Sequence, residues 1–242
     1  QKRAANLLVE CLINQGVDKI YGVPGESYLS VLDALYDFND KINFISTRHE
    51  SAASFMAEAY GKLTGEVGIC FVTRGPGATN ASIGVHTAMQ NSSPMILFIG
   101  QIGRDMTERE AFQEIDYKAY FGSISKWVVQ VNNADRLPEI IGRAFSMALS
   151  GRPGPVVVSL PEDMLRDLTS AVVINKIQKT CAEISVTHCN CSNCSCRRAY
   201  KFICTICTRC NKNSGLLWRS NNSFWRINFY VGVTECQYVD SW

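Results

Sequence analysis

The 242-residue sequence contains no run of eighteen apolar residues, and we therefore expect no transmembrane helix. It does not open with the basic and apolar segments of a secretory signal, so a cytoplasmic location is expected. The net charge is only +2, which does not favour a nucleic-acid-binding protein. Its two glycine-rich loops read neither GxGxxG nor the P-loop pattern, so the fingerprints of a dinucleotide site and a P-loop are missing.

The composition changes abruptly near residue 172. Hydrophobic residues make up 46% of the chain, enough for a sizeable core. Only Cys11 and Cys70 precede residue 181, whereas nine cysteines lie from residue 181 onward, and the net charge changes from −4 before residue 172 to +6 from residue 172 onward. The sequence therefore predicts a domain at 1–171 and a Cys-rich tail at 172–242.

Six apolar segments alternate with helical patterns in the first part. Near-continuous apolar runs such as residues 67–72 are typical of strands buried on both faces of a parallel sheet. The predicted strands are 18–21, 42–46, 67–72, 94–100, 126–131 and 154–160, and Ser27 is predicted to cap the second helix. This order predicts an α/β fold with a doubly wound, six-stranded parallel sheet.

Ligands of such sheets bind at the carboxyl ends of the strands, where three distinctive loops are expected at 22–26, 47–50 and 73–80. Their glycines would let a ligand approach the backbone, although glycine is also common in turns for geometric reasons alone. Glu50 follows a predicted strand and starts a helix of small residues. It is either a carboxylate favoured by the helix dipole or a functional proton carrier, and periodicity alone favours the first.

The motifs taken together resemble a known family. Their order is GVPGES at 22–27, TRHESAASFMAEAYGKLTG at 47–65, TRGPGATN at 73–80, SSPMILFIG at 92–100, AFQEID at 111–116 and GRPGPVVVSLPEDM at 151–164. Over about residues 3–170 the chain resembles the N-terminal pyrimidine-binding domain of thiamine-diphosphate enzymes, most closely the acetolactate synthase group. The resemblance does not include the tail.

The resemblance implies that Glu50 is the catalytic, cofactor-activating glutamate. In the family this carboxyl group bonds to ring N1′ of the cofactor and favours the imine tautomer, while the carbanion chemistry is the cofactor's own. It also implies that Pro24 and Gly25 lie near the thiazolium ring and that Pro76 and Asn80 border the aminopyrimidine.

The resemblance further implies a substrate pocket bordered by Phe112 and Gln113, although the residues alone favour packing for Phe112 and a solvated loop position for Gln113. GVPGES departs from the family because it has Val23 and Glu26 where acetolactate synthases often have an aromatic residue and a second glycine. This departure leaves the choice of 2-oxo acid open.

The family's second half of the site is not recognisable here, because the chain contains no GDG segment followed by an Asn pair. In the family that segment binds Mg2+ and the diphosphate, and a partner subunit of a homodimer or tetramer supplies it. We therefore expect no metal ligands in residues 1–171 and a truncated chain that is inactive alone. FAD is a possible further cofactor of the full enzyme.

The tail allows three interpretations. Cysteines at 189, 191, 194, 196, 204, 207 and 210 have metal-ligand spacings, and a disulfide-rich secreted module is a second alternative. We favour the third, a lost reading frame, because the apolar pattern fits neither helix nor strand for long. We expect a poorly ordered segment that is not a native domain.

The sequence thus predicts part of a transferase or lyase that decarboxylates and joins 2-oxo acids, as in branched-chain amino acid biosynthesis. A thiamine-diphosphate-dependent 2-oxo acid or acyl-CoA decarboxylase is the alternative within the family. A Cys-rich metal-binding protein without catalysis is the alternative of another class.

Overall fold

The computed structural model describes residues 1–178 together with the backbone of three later strands, at 217–220, 223–230 and 233–238. The chain divides into two compact units, Gln1–Cys181 and Ala182–Trp242. No helix of the described residues is long and apolar enough to cross a membrane.

The first unit is built on a six-stranded sheet in which every neighbouring pair is parallel. Across the sheet the order is β3-β2-β4-β5-β7-β6. Its strands are β2 (Lys19–Gly22), β3 (Asn43–Ser46), β4 (Gly68–Val72), β5 (Met95–Gln101), β6 (Trp127–Gln130) and β7 (Pro155–Pro161). Two residues near the chain start, β1 (Lys2–Arg3), pair antiparallel with β8 (Leu168–Thr169). The predicted α/β class and six-stranded parallel sheet are confirmed.

The central strands are buried along their whole length, which explains their apolar sequences. Every residue of β4, β5 and β7 is buried. Such burial on both faces is the usual environment of parallel strands, because the crossover helices cover both sides of the sheet.

Six α-helices form these covering layers, and the two faces of the sheet bury separate clusters. One cluster joins alternate strand residues to α1 (Ala4–Asn14), α2 (Leu29–Asp37) and α6 (Leu137–Leu149). The other joins the intervening strand residues to α3 (Glu50–Thr64), α4 (Pro76–Asn91) and α5 (Tyr117–Phe121). Thus Phe71 and Phe98 belong to the first cluster, whereas Cys70 and Leu97 belong to the second. The predicted double winding is confirmed.

The prediction that Ser27 caps the second helix is wrong. A 3-10 turn, Glu26–Tyr28, precedes α2, and the N-terminal residue before the helix, Tyr28, makes no capping hydrogen bond through its side chain. The hydroxyl of Ser27 instead lies 2.8 Å from that of Thr73 and accepts a hydrogen bond from the backbone N–H of Arg74. A contact with a distant loop has replaced the local cap.

Only part of the predicted tail is described. Residues 174–177 run beside the end of α1: the Gln15 side chain donates to the carbonyl of Asn175 and accepts from the N–H of Ile177. In the second unit β9 (Leu217–Ser220), β10 (Ser223–Tyr230) and β11 (Val233–Tyr238) form an antiparallel sheet. The cysteines at 181–210, with the expected poor order and possible metal sites there, lie outside the described residues, and the boundary at 171/172 stays a prediction.

Candidate functional site

Three loops meet where the neighbouring strands β3, β2 and β4 end. The first loop (residues 23–28) follows β2, the second loop (47–49) follows β3 and the third loop (73–75) follows β4. Because parallel strands present their carboxyl ends at one edge, these loops lie side by side. A fourth loop (102–116) follows β5, which pairs with β4.

Glu50 is the first residue of α3, at the edge where these loops meet. The residue before it, His49, is the N-cap, and its Nδ1 accepts a hydrogen bond from the N–H of Ser51. The positive end of the α3 dipole favours a negative charge at this position. Glu50 is half-buried, so its carboxylate is neither fully solvated nor sealed in the core.

One carboxylate oxygen of Glu50 is held, and the other has no partner. Asn80 Nδ2 donates to Glu50 Oε2 over 2.9 Å. No hydrogen bond reaches Oε1 from any residue that the structure describes. Asn80 belongs to α4, so this contact fixes the carboxylate between the beginnings of two neighbouring helices. It leaves one oxygen ready to accept or share a proton with a bound group.

Glycine at position 77 keeps the space beside this free oxygen open. A Cβ added to Gly77 would lie 3.5 Å from Glu50 Oε1 and 2.8 Å from Thr73 Cγ2. The second distance is shorter than a normal contact between carbons. A side chain here would therefore both displace Thr73 and reduce the access of a ligand to Glu50.

The first and third loops pack directly against each other. A Cβ on Gly25 would come within 2.5 Å of Thr73 Cβ, and the hydroxyls of Ser27 and Thr73 lie 2.8 Å apart. Pro24 is exposed in the first loop and Pro76, the first residue of α4, is exposed after the third. Pro24 and Pro76, which were predicted to lie beside the cofactor, are therefore accessible on either side of the Gly25–Thr73 contact.

The fourth loop reaches the third loop through Gln113. A Cβ on Gly75 would lie 2.7 Å from Gln113 Cβ, so these loops are in close contact. Gln113 has a φ of 65°, a backbone conformation that is uncommon outside glycine. Phe112 is 76% exposed, which excludes a packing role within this unit. Both predicted substrate residues thus lie on the loop that borders the site.

Two buried groups respond to the charge of Glu50. Burial, followed by the nearby Glu50 carboxylate, raises the pKa of the Cys70 thiol. Burial also raises the pKa of the Tyr28 hydroxyl, with smaller contributions from Cys70 and Glu50. Both groups therefore stay neutral at physiological pH.

Several residues of the site were not predicted from the sequence. Tyr117 Oη accepts a hydrogen bond from the N–H of Gly75 over 3.0 Å, and Thr73 contacts both Gly25 and Gly77. Arg74 is buried and forms two ion pairs. Thr73 and Arg74 belong to the TRGPGATN motif, but its spacing did not indicate their partners in Gly25, Glu26 and Glu162, which lie far from it in the chain.

Comparison with known proteins identifies the family. The sequence model described as "Thiamine pyrophosphate enzyme, N-terminal TPP binding domain" matches residues 2–120. The acetolactate synthase isozyme 3 large subunit of Escherichia coli is 42% identical over 161 residues, which are 66% of this chain and 28% of that protein.

Two other relatives give the same result. The mitochondrial acetolactate synthase catalytic subunit of Saccharomyces cerevisiae is 41% identical over 168 residues, 69% of this chain and 24% of its own length. The acetolactate synthase of Bacillus subtilis is 38% identical over 170 residues, 70% of this chain and 30% of that protein. The chain thus spans less than a third of these relatives. Its N-terminal part belongs to the thiamine pyrophosphate enzyme family, as a TPP-binding domain of the acetolactate synthase type.

Proposed function

We propose that residues 1–171 are the pyrimidine-binding domain of a thiamine-diphosphate enzyme that decarboxylates one 2-oxo acid and joins the remaining unit to a second. The observation that carries the proposal is the Glu50 carboxylate, with one oxygen held by Asn80 and the other open beside Gly77. The similarity to acetolactate synthases supports this reaction over simple decarboxylation.

The residues at the site fit the aminopyrimidine half of thiamine diphosphate. Gly25 and Gly77 carry no side chain where a Cβ would meet Thr73 at 2.5 and 2.8 Å, so the loops pack closely and Glu50 Oε1 stays accessible to a flat ring. The Glu50 carboxylate can pair with a ring nitrogen, and the exposed Pro24 and Pro76 offer apolar surface to the ring. These features match a planar, partly apolar, proton-accepting heterocycle.

In the proposed mechanism Glu50 holds a proton at ring N1′. When bound, the cofactor supplies a nucleophilic carbon and an electron sink. Asn80 fixes the orientation of the Glu50 carboxylate by donating to Oε2, which leaves Oε1 for the ring. Replacing Glu50 by glutamine would keep the shape but remove the group that exchanges the proton.

We assign the substrate side of the site to Phe112 and Gln113. Gln113 contacts Gly75 in the third loop, so movement of the fourth loop would be transmitted to the cofactor site. The exposed ring of Phe112 can cover an apolar substrate chain and exclude water. Their loop position would let them act on the second 2-oxo acid.

The proposal for the whole enzyme extends beyond the matched residues. We propose that Mg2+ and the diphosphate are bound by a second domain of a partner subunit in a homodimer or tetramer, so that residues 1–171 alone do not turn over substrate. FAD binding, transferase and lyase activity in branched-chain amino acid biosynthesis, and a cytoplasmic location belong to the same proposal. The similarity to acetolactate synthases supports the activity, whereas the cytoplasmic location rests on the sequence prediction, since the relative from Saccharomyces cerevisiae is mitochondrial.

A domain graft tests the proposed activity. Residues 1–171 would replace the aligned segment of the E. coli isozyme 3 large subunit, and acetolactate formation from pyruvate would be measured. We expect an active graft, a loss of about 100-fold or more in kcat with Glu50→Gln, and no comparable loss with Glu139→Gln, a change at an exposed residue of α6.

Two outcomes would contradict the proposal. A folded graft whose activity does not respond to Glu50→Gln would remove Glu50 from the mechanism. A graft that released acetaldehyde without acetolactate would instead indicate the decarboxylase alternative.

A further inference from the structure

Arg74 is a buried charge at the centre of the site's loops. The residue is only 8% exposed, although it lies in a loop. Its Nη2 pairs with Glu26 Oε1 at 3.1 Å and its Nη1 pairs with Glu162 Oε2 at 3.0 Å. The fork of the guanidinium thus bridges two carboxylates, an arrangement that fixes direction as well as distance.

The bridge connects three separate segments at the carboxyl edge of the sheet. Glu26 belongs to the first loop, Arg74 to the third loop, and Glu162 follows β7. In the sheet β5 lies between β4 and β7, so the ion pair of Arg74 with Glu162 reaches past β5 and joins the ends of β4 and β7. Arg74 therefore anchors the first and third loops to a rigid strand end outside them.

The backbone of Arg74 reinforces the same junction. Its N–H donates to Ser27 Oγ, and its carbonyl accepts from the N–H of Gly77. Ser27 Oγ also contacts the hydroxyl of Thr73. The residue that carries the bridge thus also determines where Gly77, beside the free oxygen of Glu50, is placed.

The ion pairs are poorly suited to a purely stabilising role. Removing a guanidinium from water is costly, and Arg74 Nε is buried without a hydrogen-bond partner among the described residues. The side chain of Glu26 remains 78% exposed and that of Glu162 37% exposed, so both carboxylates would stay hydrated without Arg74. An apolar side chain of similar length could fill the space without leaving a buried, unpaired charge.

We propose that Arg74 is a positioning residue that holds the first loop against the third and so preforms the gap beside Glu50. The proposal rests on the proposed function only in naming that gap a cofactor site. It also gives Glu26, a departure from the family's sequence, a definite role as the exposed partner of Arg74.

Amide hydrogen exchange in the full chain tests this proposal without cofactor. In Arg74→Met we expect exchange about tenfold faster at the N–H groups of Tyr28 and Gly77, which bond within these loops, and no change in β5. The melting temperature should change by less than about 3 °C. Arg136→Met, which removes an exposed ion pair in the turn before α6, is the matched control and should leave both loops unchanged.

Glu26→Gln provides a second variant that removes only an exposed group. It should accelerate exchange in the same two loops by a smaller factor, and the double variant should behave like Arg74→Met alone, because both changes break one bridge. Unchanged loop exchange in Glu26→Gln and Arg74→Met would overturn the proposal. So would acceleration throughout the sheet with a large fall in melting temperature. If Arg74→Met does not fold, Glu26→Gln decides alone.

A cofactor arm separates this proposal from the proposed function. Thiamine diphosphate with Mg2+ should slow exchange in the two loops of the wild-type chain, and slow it less in Arg74→Met. Absence of slowing in the wild type would contradict binding of the aminopyrimidine half by this chain alone, whereas the exchange measured without cofactor would still decide the role of Arg74.

Discussion

At the scale of single residues, the surroundings of Glu50 distinguish it from an ordinary carboxylate at a helix start. Any acid in the first turn of α3 would gain from the helix dipole. Only contacts from elsewhere in the chain, the Asn80 hydrogen bond and the open space at Gly77, give it a fixed orientation with one free oxygen. Its sequence position could suggest a role, but these long-range contacts could not be read from periodicity.

Gly75 is predicted to be intolerant of a side chain for two separate reasons. Its φ is +54°, and a Cβ would lie 2.7 Å from Gln113 Cβ. Gly75→Ala should therefore lower the free energy of unfolding by about 2–3 kcal/mol and displace the fourth loop. Urea denaturation measures the first effect, and proteolysis within residues 105–114 measures the second.

Gly151→Ala is the matched control for this prediction. Gly151 also has a positive φ, +58°, but nothing lies within 4 Å of an added Cβ. We expect Gly151→Ala to lower the free energy of unfolding by about 1 kcal/mol, because of backbone strain alone. Equal losses of unfolding free energy in the two variants would show that the contact with Gln113 does not affect stability.

Tyr117 should make stability depend on alkaline pH. Burial raises its pKa to about 12, although the Gly75 N–H and the Arg74 charge partly oppose this. Since an unfolded tyrosine ionises near pH 10, the stabilisation is complete below about pH 10 and is lost between about pH 10 and 12. Tyr117→Phe removes this dependence together with the hydrogen bond to Gly75.

The variant should therefore be less stable at neutral pH, by about 1 kcal/mol, and should match the wild type near pH 11. Urea unfolding followed by circular dichroism at pH 8 and pH 11 would show the difference shrinking. A difference that stayed constant or grew with pH would contradict the assigned burial of the hydroxyl.

At the scale of elements, strands were predictable and loop contacts were not. The apolar runs of β4, β5 and β7 followed directly from burial on both faces. The predicted start of α2 was wrong because Ser27 bonds to Thr73 and Arg74, 46 and 47 residues away, instead of capping its own helix. Local rules fail where a tertiary contact competes for the same side chain.

The segment at 174–177 is predicted to stabilise α1 and therefore the first unit. The buried Gln15 amide bonds to the backbone of both Asn175 and Ile177, at 3.1 and 2.8 Å. Gln15→Ala would leave these backbone groups without that partner and should cost about 1–2 kcal/mol.

Thermal unfolding would show this loss as a fall in melting temperature of about 2–6 °C. Gln90→Ala, an exposed side chain on α4, should have little effect. If the two variants melted together, the segment would make no measurable contribution, which would favour the predicted boundary at 171/172.

At the scale of the whole molecule, the alternation of strands and helices determined the sheet and hence the edge at which the loops meet. The resemblance supplied Glu50, Pro24, Gly25, Pro76, Asn80, Phe112 and Gln113, and the structure places them on the loops of that edge and the helices that begin there. The contacts between those loops could not be predicted. They are made by Arg74, Thr73 and Tyr117 with residues far away in the sequence. Motif order reveals the members of a site, whereas its geometry depends on packing.

The most direct test of the central claim is saturation-transfer NMR of thiamine diphosphate, with Mg2+, in the presence of the full chain. Stronger transfer to the aminopyrimidine protons than to the thiazolium protons is predicted, because the proposed site at Glu50 would receive the pyrimidine ring. Glu50→Ala should abolish this preference, whereas Glu139→Ala should keep it. Equal transfer to both rings, or a pattern that Glu50→Ala leaves unchanged, would contradict the account.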